Sequence, residues 1–392
     1  MSLPDVLDQI NYAAYLAFRQ FVPRTEDREA LTWQSVPQAL LFIVPYLFMA
    51  YLWKDPYFRW YEWNRGLMGL VVIAKSIDFA LAKEGRFKIN ERSLPAIYES
   101  ENKPQVLSQC DRGKSVPDEV GEDRGIAGRL LPCALYDALE VGLAMRGIGW
   151  DFGQSLYIPS GEWPPERNAF IRAKLLNFAR NELYVDIWET VEKLTPGVSS
   201  TGGTIFLPHL PPLQRYAFSM FLQLGHGLLI VAGMSNVYDI FSIIGVLCCG
   251  SKPEDWPPMM GDLWNVRSLH QFWSQGWHQA LRYTFLTFGG FPGRRLGGSV
   301  GMVFGTFLAS ALFHEIGIAT TGVDMDGRVF VFFLLQAVGV IAEKTFRMLT
   351  GRRVGGVFGF TWAAVFILGL GQICRVSEVL WLFRKPRVLD DN

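Results

Sequence analysis

One run of apolar sequence carries polar side chains at every fourth position. The run covers residues 299–319, and its polar residues are Thr306, Ser310 and His314, with Glu315 directly after the histidine. Residues four apart lie on one face of a helix, so the run predicts a membrane helix with a polar face. An ionisable group inside a membrane is costly and usually faces a water-filled cavity or another polar group. His314 is therefore a candidate general base, and a hydrogen bond to a neighbouring helix is the alternative role.

The same run carries a row of small residues. Gly297, Gly301 and Gly305 also stand four apart. Residues without side chains let two helix backbones approach closely in a membrane, so this row predicts a tight helix contact.

A second candidate segment lies at residues 268–282. Its polar side chains stand four positions apart and would form one stripe on a helix: His270, Ser274, His278 and Arg282. Trp273 and Trp277 would form a neighbouring aromatic stripe. From the residues alone, an interfacial helix anchored by tryptophan is favoured. A helix that lines a polar cavity is the alternative.

Three further ionisable residues lie in apolar segments. His226 shares a helical face with Ser219 and Gln223, and no acid accompanies that row in the sequence. A structural hydrogen bond is therefore favoured for His226 over a role in lining a cavity. Lys75 and Asp78 are three apart, on one helical face, and could pair.

Neither a metal site nor a disulfide framework is expected. No two histidines have the spacing that would place both ligands on one helical turn, and the five cysteines include no CxxC pair. The 37 basic and 37 acidic residues balance, so no nucleic-acid partner is expected.

The chain that must position these residues is strongly apolar. Half of its 392 residues are hydrophobic, and the mean hydropathy is +0.17. Apolar runs recur along it, at 36–53, 216–234, 240–250, 299–319, 329–342 and 354–371. Because a membrane helix needs roughly 20 apolar residues, the chain predicts an all-α, polytopic membrane bundle of roughly eight membrane helices.

Three regions are expected along the chain. Residues 1–82 hold an interfacial helix and the first spans, without the basic start and cleavage site of a signal peptide. Residues 83–129 form a hydrophilic, partly disordered loop, and residues 130–392 form the remaining membrane core. Within that core, 164–194 predicts an amphipathic surface helix and 196–212 a loop.

At three segments the sequence resembles the wax synthase-like branch of the membrane-bound O-acyltransferases. These are 261–279, with its Ser-Leu, Phe-Trp and Trp-His pairs, then 310–315, SALFHE, and 146–150, RGIGW, which resembles a motif of the fungal members. The separation of the two histidines, 36 residues, also fits that branch. Ser-Gln-Gly at 274–276 departs from it, because relatives often carry glycine followed by basic residues there.

The resemblance implies acyl transfer from an acyl-CoA to a hydroxyl, in a cavity within the membrane, with residues 130–392 as the catalytic core. His314, kept neutral by its apolar surroundings, would take the hydroxyl proton. His278 would orient the alcohol or donate a hydrogen bond to the developing oxyanion. Six further residues would bind the substrate or CoA: Trp273, Trp277, Arg282, Ser274, Ser310 and Thr306.

The fungal forms of the motifs favour acetyl-CoA as co-substrate, no other cofactor, and a terpenoid or meroterpenoid alcohol as acceptor. A long-chain wax ester or acylglycerol synthase is the enzymatic alternative, and the endoplasmic reticulum membrane is the expected location. From the residues, a transporter that uses His314, Lys75 and Asp78 as a proton relay is the alternative of another class. Paired halves with interrupted helices, which would support a transporter, are not found in the sequence.

Overall fold

The structure is a computed structural model, and part of the chain is described. The described residues are 59–81, 125–131, 136, 140–141, 144–153, 156–159, 161, 163–195, 198–199, 202–203, 205–321, 325 and 327–373. The expected interfacial helix, the expected span at 36–53 and most of the expected loop at 83–129 lie outside them.

Helices make up most of the described chain. In chain order they are α1 (Arg59–Leu81), α2 (Gly125–Leu130), α3 (Arg167–Leu194), α4 (Pro212–Cys248), α5 (Leu269–Gln271), α6 (Arg282–Phe285), α7 (Phe291–Ala319), α8 (Arg328–Thr350) and α9 (Gly356–Ala364). Wider π-helical turns extend α5 over Phe272–Gly276, α6 over Leu286–Gly290 and α9 over Val365–Gly369. Strands β1 (Val198–Ser199) and β2 (Gly202–Gly203) pair antiparallel inside the segment expected to be a loop.

Apolar helices identify the protein as an integral membrane protein. Three described stretches are long and apolar enough to cross a membrane: Pro212–Cys248, Arg282–Ala319 and Arg328–Thr350. Gly66–Lys75 and Gly356–Gln372 are shorter apolar helices. The predicted class, an all-α polytopic membrane bundle, is confirmed. The total of roughly eight membrane helices stays a prediction, because some of the expected spans lie outside the described residues.

The stretch Arg282–Ala319 is a helical hairpin, because two glycines reverse the chain inside it. Gly297 (φ −135°, ψ 23°) and Gly298 (φ 59°, ψ −140°) leave helical geometry. The second arm, 299–319, runs back along the first arm, 282–296, and is about 30 Å long at 1.5 Å per residue. The second arm alone is therefore long enough to cross a membrane.

Glycines hold the two arms of the helical hairpin together. A Cβ atom added to Gly289 would overlap the carbonyl oxygen of Gly305, and one added to Gly293 would overlap that of Gly301. The predicted tight contact of Gly301 and Gly305 is thus confirmed, with the first arm as the partner helix. Gly297 forms part of the turn instead, and a Cβ there would meet nothing within 4 Å.

We expect Gly298→Ala to destabilise the helical hairpin. The φ of 59° with ψ of −140° at Gly298 belongs to a region that only glycine adopts readily, and such strain costs about 1–3 kcal/mol in other residues. The thermal midpoint of the detergent-solubilised protein should fall measurably. Gly297→Ala is the matched control, because the φ of Gly297 is negative and its surroundings are open. Equal midpoints for the two variants would contradict the assigned turn.

Helix α3 lies lengthwise along α4, joined to it by buried polar contacts. The Lys174 Nζ and Asp239 Oδ1 atoms are 2.8 Å apart, and both side chains are almost fully buried. Nearer the other end of α3, the Tyr184 hydroxyl donates to the carbonyl of Gly225 at 2.9 Å. Buried charges need such partners, since an unpaired one would be strongly destabilising. The helix expected at 164–194 is present as α3, and its Lys174 and Tyr184 side chains bind α4.

Candidate active site

His314 lies in the second arm of the helical hairpin with its tautomer fixed by the helix itself. Its Nδ1 is 2.8 Å from the carbonyl oxygen of Ser310, one turn earlier. A carbonyl oxygen only accepts, so in the neutral ring Nδ1 carries the proton and Nε2 keeps the lone pair. The Thr306 hydroxyl likewise donates within the helix, to the carbonyl of Met302 at 2.7 Å. The predicted polar face therefore exists, and its free base is Nε2 of His314.

Aromatic rings surround His314. The ring of Phe333, from α8, stacks on the imidazole with centroids 4.5 Å apart and planes 28° apart. Phe313 and Phe285 lie 5.4 Å and 6.4 Å away. The residue as a whole is partly buried. Its imidazole is thus held among aromatic rings of α6, α7 and α8.

The segment 268–282 is not one helix, so the predicted polar stripe is wrong. Helix α5 and its π-helical turn end at Gly276, and Trp277 is extended (φ −76°, ψ 154°). The Gln279 side chain causes this end in part, because its amide donates to the carbonyls of Trp273 (3.2 Å) and Trp277 (2.8 Å). His270 remains on α5, whereas His278 lies in the turn between α5 and α6.

Helix α8 anchors the beginning of this segment. The Glu343 carboxylate accepts hydrogen bonds from the backbone N–H groups of Leu269 (2.6 Å) and His270 (3.0 Å). Backbone N–H groups in the first turn of a helix have no partner within that helix. A third such group, the N–H of Gln271, donates to the Ser268 hydroxyl oxygen. A buried carboxylate of α8 therefore fixes where the segment starts.

Helix α8 also fixes the tryptophan that the sequence analysis placed in the site. Gln336, fully buried, accepts from the indole N–H of Trp273 at 3.2 Å and donates to the carbonyl of Phe366 at 2.9 Å. The Trp273 ring further contacts Phe307 (5.6 Å) and Phe333 (5.8 Å). Phe333 thus touches both Trp273 and His314 and joins the two candidate segments.

The two histidines are brought together by this arrangement. A continuous chain of ring contacts joins His278 to His314, through Trp277, Trp273 and Phe333. His278 packs against Trp277, with ring centroids 5.5 Å apart. Its Nδ1 is buried, and no hydrogen-bond partner is found for it within the described part of the chain. A buried polar atom without a partner calls for an explanation such as a catalytic role.

Arg282 and Ser274 lie beside the same turn. The Arg282 Nη1 atom is 3.1 Å from the side-chain oxygen of Gln279 and 3.5 Å from the carbonyl oxygen of Ser274. The guanidinium is only partly exposed. Of the predicted site residues, Trp273, Ser274, Trp277, His278 and Arg282 therefore gather at one turn.

The remaining predicted residues belong to the facing helix. Ser310 accepts the hydrogen bond of His314, and Thr306 packs where a side chain at Gly290 would collide with it. Glu315 has another task, since its carboxylate accepts from the N–H groups of Gly327 (2.9 Å) and Phe330 (3.3 Å) at the start of α8. The acid next to His314 therefore caps a helix.

The RGIGW segment supports the site from a distance. Arg146 is buried and donates to the carbonyls of Pro257 and Pro258, both at 2.8 Å, and to the Tyr238 hydroxyl at 2.5 Å. It holds in place the chain that leads into α5. On the other side, the Tyr283 hydroxyl of α6 donates to Asp78 at 3.3 Å.

Lys75 and His226, two ionisable residues outside the site, each contact a distant part of the chain. Lys75 donates to the carbonyls of Ala144 (3.1 Å) and Val141 (3.4 Å), which ties α1 to the segment before RGIGW. His226 Nδ1 lies 3.3 Å from Glu192 Oε1, and both residues are buried between α3 and α4. The acid that the sequence around His226 lacks is thus supplied by a distant helix.

The fold and the site together define a helical integral membrane protein in which ring contacts join a histidine of the helical hairpin, His314, to one in the turn before it, His278. The stretch 256–335, which contains both of them, matches the family described as the membrane bound O-acyl transferase family. The resemblance predicted from the sequence is thereby confirmed.

Several curated proteins are similar to this chain over longer stretches. O-Mevalon transferase yanI of Aspergillus niger is 27% identical over 241 residues, which cover 53% of this chain and 51% of that protein. Acetyltransferase ple2 of Rhodocybe pseudopiperita is 24% identical over 234 residues, covering 56% and 58%. Acetyltransferase eriL of Hericium erinaceus is 26% identical over 243 residues, covering 56% and 61%. The chain therefore spans somewhat more than half the length of the curated relatives it matches.

Proposed function

We propose that this protein is an acyl-CoA-dependent O-acyltransferase that esterifies a hydroxyl inside the membrane. The observation that carries the proposal is the chain of ring contacts that joins His278 to His314, within the stretch that matches the acyltransferase family. The acceptor hydroxyl has a pKa far above neutral, so it needs a base as it attacks. Nε2 of His314, which keeps its lone pair, is that base.

The reaction then proceeds in two steps. The hydroxyl oxygen bonds to the thioester carbonyl carbon while its proton moves to Nε2 of His314, which forms a tetrahedral intermediate. The intermediate collapses with breakage of the carbon–sulfur bond, and the proton passes from His314 to the leaving thiolate, giving the ester and free CoA. The stacked Phe333 ring favours the positive imidazolium between the two steps, as aromatic faces attract cations.

His278 acts on the oxygen rather than on the proton. Its Nδ1 atom, buried and without a partner among the described residues, offers an N–H group to the carbonyl oxygen of the thioester, where negative charge develops. Trp273 and Trp277 wall the reacting groups, while Ser274 and Arg282 contact the donor. Ser310 and Thr306 complete the acceptor side of the same cavity.

We propose acetyl-CoA as the donor and an apolar terpenoid or meroterpenoid alcohol as the acceptor, in the endoplasmic reticulum membrane. Two of the relatives above are named acetyltransferases, which supports the donor. The third is named O-Mevalon transferase, so a donor with a larger acyl group has to be tested beside it.

The test is acyl transfer by microsomes that contain the protein. Labelled acetyl-CoA and longer acyl-CoAs are supplied in turn with extracted terpenoid alcohols, long-chain alcohols and diacylglycerol. The proposal predicts a labelled ester of a terpenoid alcohol, formed from acetyl-CoA. Esters of the long-chain alcohols would assign a wax synthase, and passage of substrate across the vesicles without any ester would assign a transporter.

A further inference from the structure

Gln279 follows His278 directly in the chain, and its side chain is almost fully buried. Its amide nitrogen donates to the carbonyls of Trp273 at 3.2 Å and Trp277 at 2.8 Å. Its amide oxygen accepts from Arg282 Nη1 at 3.1 Å. A buried amide is costly unless it is hydrogen-bonded, and both ends of this one have partners within the protein.

Arg282 determines which end of the Gln279 amide faces the two carbonyls. A guanidinium only donates hydrogen bonds, so the atom that it meets is the amide oxygen. The amide nitrogen then lies on the other side, with two N–H bonds for two carbonyl oxygens. A glutamate at this position would have the same length and shape but no N–H group.

The π-helical turn explains why the Trp273 carbonyl needs this donor. The N–H of Trp277 donates to the carbonyl of Phe272, five residues earlier, at 2.7 Å. In an α-helix the same N–H would donate to Trp273, four residues earlier. The carbonyls at the end of a helix have no helical partner. The Gln279 amide supplies the donor for Trp273 and Trp277 and so favours a turn over a continued helix.

The position of His278 depends on this turn. His278 lies between Trp277 and Gln279, the two residues that the 2.8 Å hydrogen bond joins. The Gln279 carbonyl also accepts from the N–H of Arg282 at 3.3 Å, at the start of α6. A continued α-helix would instead set His278 in line with Ser274, one turn earlier. The Gln279 side chain therefore fixes the backbone that carries the His278 ring.

We propose that Gln279 is a positioning residue for acyl transfer and that it acts through His278. By holding the turn, Gln279 keeps the Nδ1 atom of His278 where its N–H meets the developing oxyanion of the thioester. Gln279 itself touches neither the donor nor the acceptor. This inference rests on the proposed function, because it explains how one of the two histidines of that reaction is held.

The experiment measures acyl transfer by the full chain in phosphatidylcholine nanodiscs, with the donor and acceptor that the microsomal test identifies. Gln279→Glu keeps the contact with Arg282 but has no N–H group for the two carbonyls. Its turnover should fall about 10²-fold, as expected when a catalytic group is displaced by about 1 Å. KM for both substrates should be nearly unchanged, since the lost interaction belongs to the transition state.

Two comparisons distinguish positioning from a structural role. Gln275→Glu makes the same change on an exposed side chain of the same π-helical turn and should transfer at the wild-type rate. In protein that already carries His278→Ala, Gln279→Glu should cause scarcely any further loss, because the group that it positions is absent. Gln279→Met, which also lacks the N–H groups, repeats both measurements without adding a charge.

The inference is overturned if Gln279→Glu and Gln279→Met turn over at the wild-type rate, or if Gln275→Glu is equally slow. It is also overturned by an equal fractional loss with and without the His278 ring, or by a loss confined to KM. If neither Gln279 variant elutes as one peak, Gln279 serves folding instead, and the inference is wrong. The proposed function fails separately, when the wild type forms no ester or when transfer does not depend on His314.

Discussion

Replacement of His314 by alanine is expected to lower the rate of acyl transfer by a factor of about 10²–10⁴, the contribution typical of a positioned general base. The variant loses an imidazole whose Nδ1–H is fixed on the carbonyl oxygen of Ser310 and whose Nε2 keeps its lone pair. Binding of coenzyme A should be nearly unchanged, because the base acts on the proton of the acceptor hydroxyl. The turnover rate of the purified protein at saturating donor and acceptor measures the effect.

His209→Ala is the matched control for this prediction. His209 is an exposed histidine in the loop before α4, far along the chain from the helical hairpin. Its replacement removes the same ring and should leave turnover at the wild-type level. Transfer by His314→Ala at near wild-type rate, in protein that elutes as one peak, would remove His314 from the mechanism.

Replacement of His278 by alanine is the second large effect, a loss of about 10²–10³ in turnover if the ring supplies one hydrogen bond to the oxyanion. The buried Nδ1 atom without a described partner motivates this assignment. His278→Gln retains an N–H donor and should recover part of the lost rate. The same glutamine at position 314 offers no base and should not recover activity. This contrast separates the two roles.

The double variant refines the assignment. Residues that act as one unit show losses that do not add. His278→Ala combined with His314→Ala should therefore be scarcely slower than His314→Ala alone. Fully multiplicative losses would show two histidines that work independently, which contradicts a shared reaction centre.

His314 could be found from the sequence, whereas the place of His278 could not. The polar face at 306, 310 and 314 follows from helical spacing in an apolar run, and the structure keeps that run helical. The same helical spacing predicted one polar stripe over 268–282, which is wrong because the chain leaves the helix at Trp277. That end depends on the Gln279 side chain reaching back to two carbonyls, which no periodicity indicates.

The helical hairpin was also hidden from periodicity. Two mostly apolar runs, 283–293 and 299–319, lie on either side of Arg294 and Arg295. Hydropathy does not show whether the second run continues the direction of the first or folds back along it. Gly297 stood in a regular glycine row and predicted packing, yet it forms the turn with Gly298. Whether the second run folds back along the first depends on contacts between the two arms, such as that of Gly289 with Gly305.

The residues that hold the site together come from distant parts of the chain. Gln336 and Glu343 fix Trp273 and the start of α5, and Phe333 stacks on His314. The one signal in the sequence was the presence of Gln336 and Glu343, two turns apart, in the otherwise apolar α8. Which groups they would meet depended on the tertiary fold.

The most direct measurement is an experimental structure of the protein with a non-hydrolysable acyl-CoA analogue. The account predicts that the acyl carbonyl carbon lies within reach of a hydroxyl held by Nε2 of His314, with the carbonyl oxygen facing His278. An analogue bound with its acyl group remote from the helical hairpin, or an imidazole at 314 facing lipid, would contradict it.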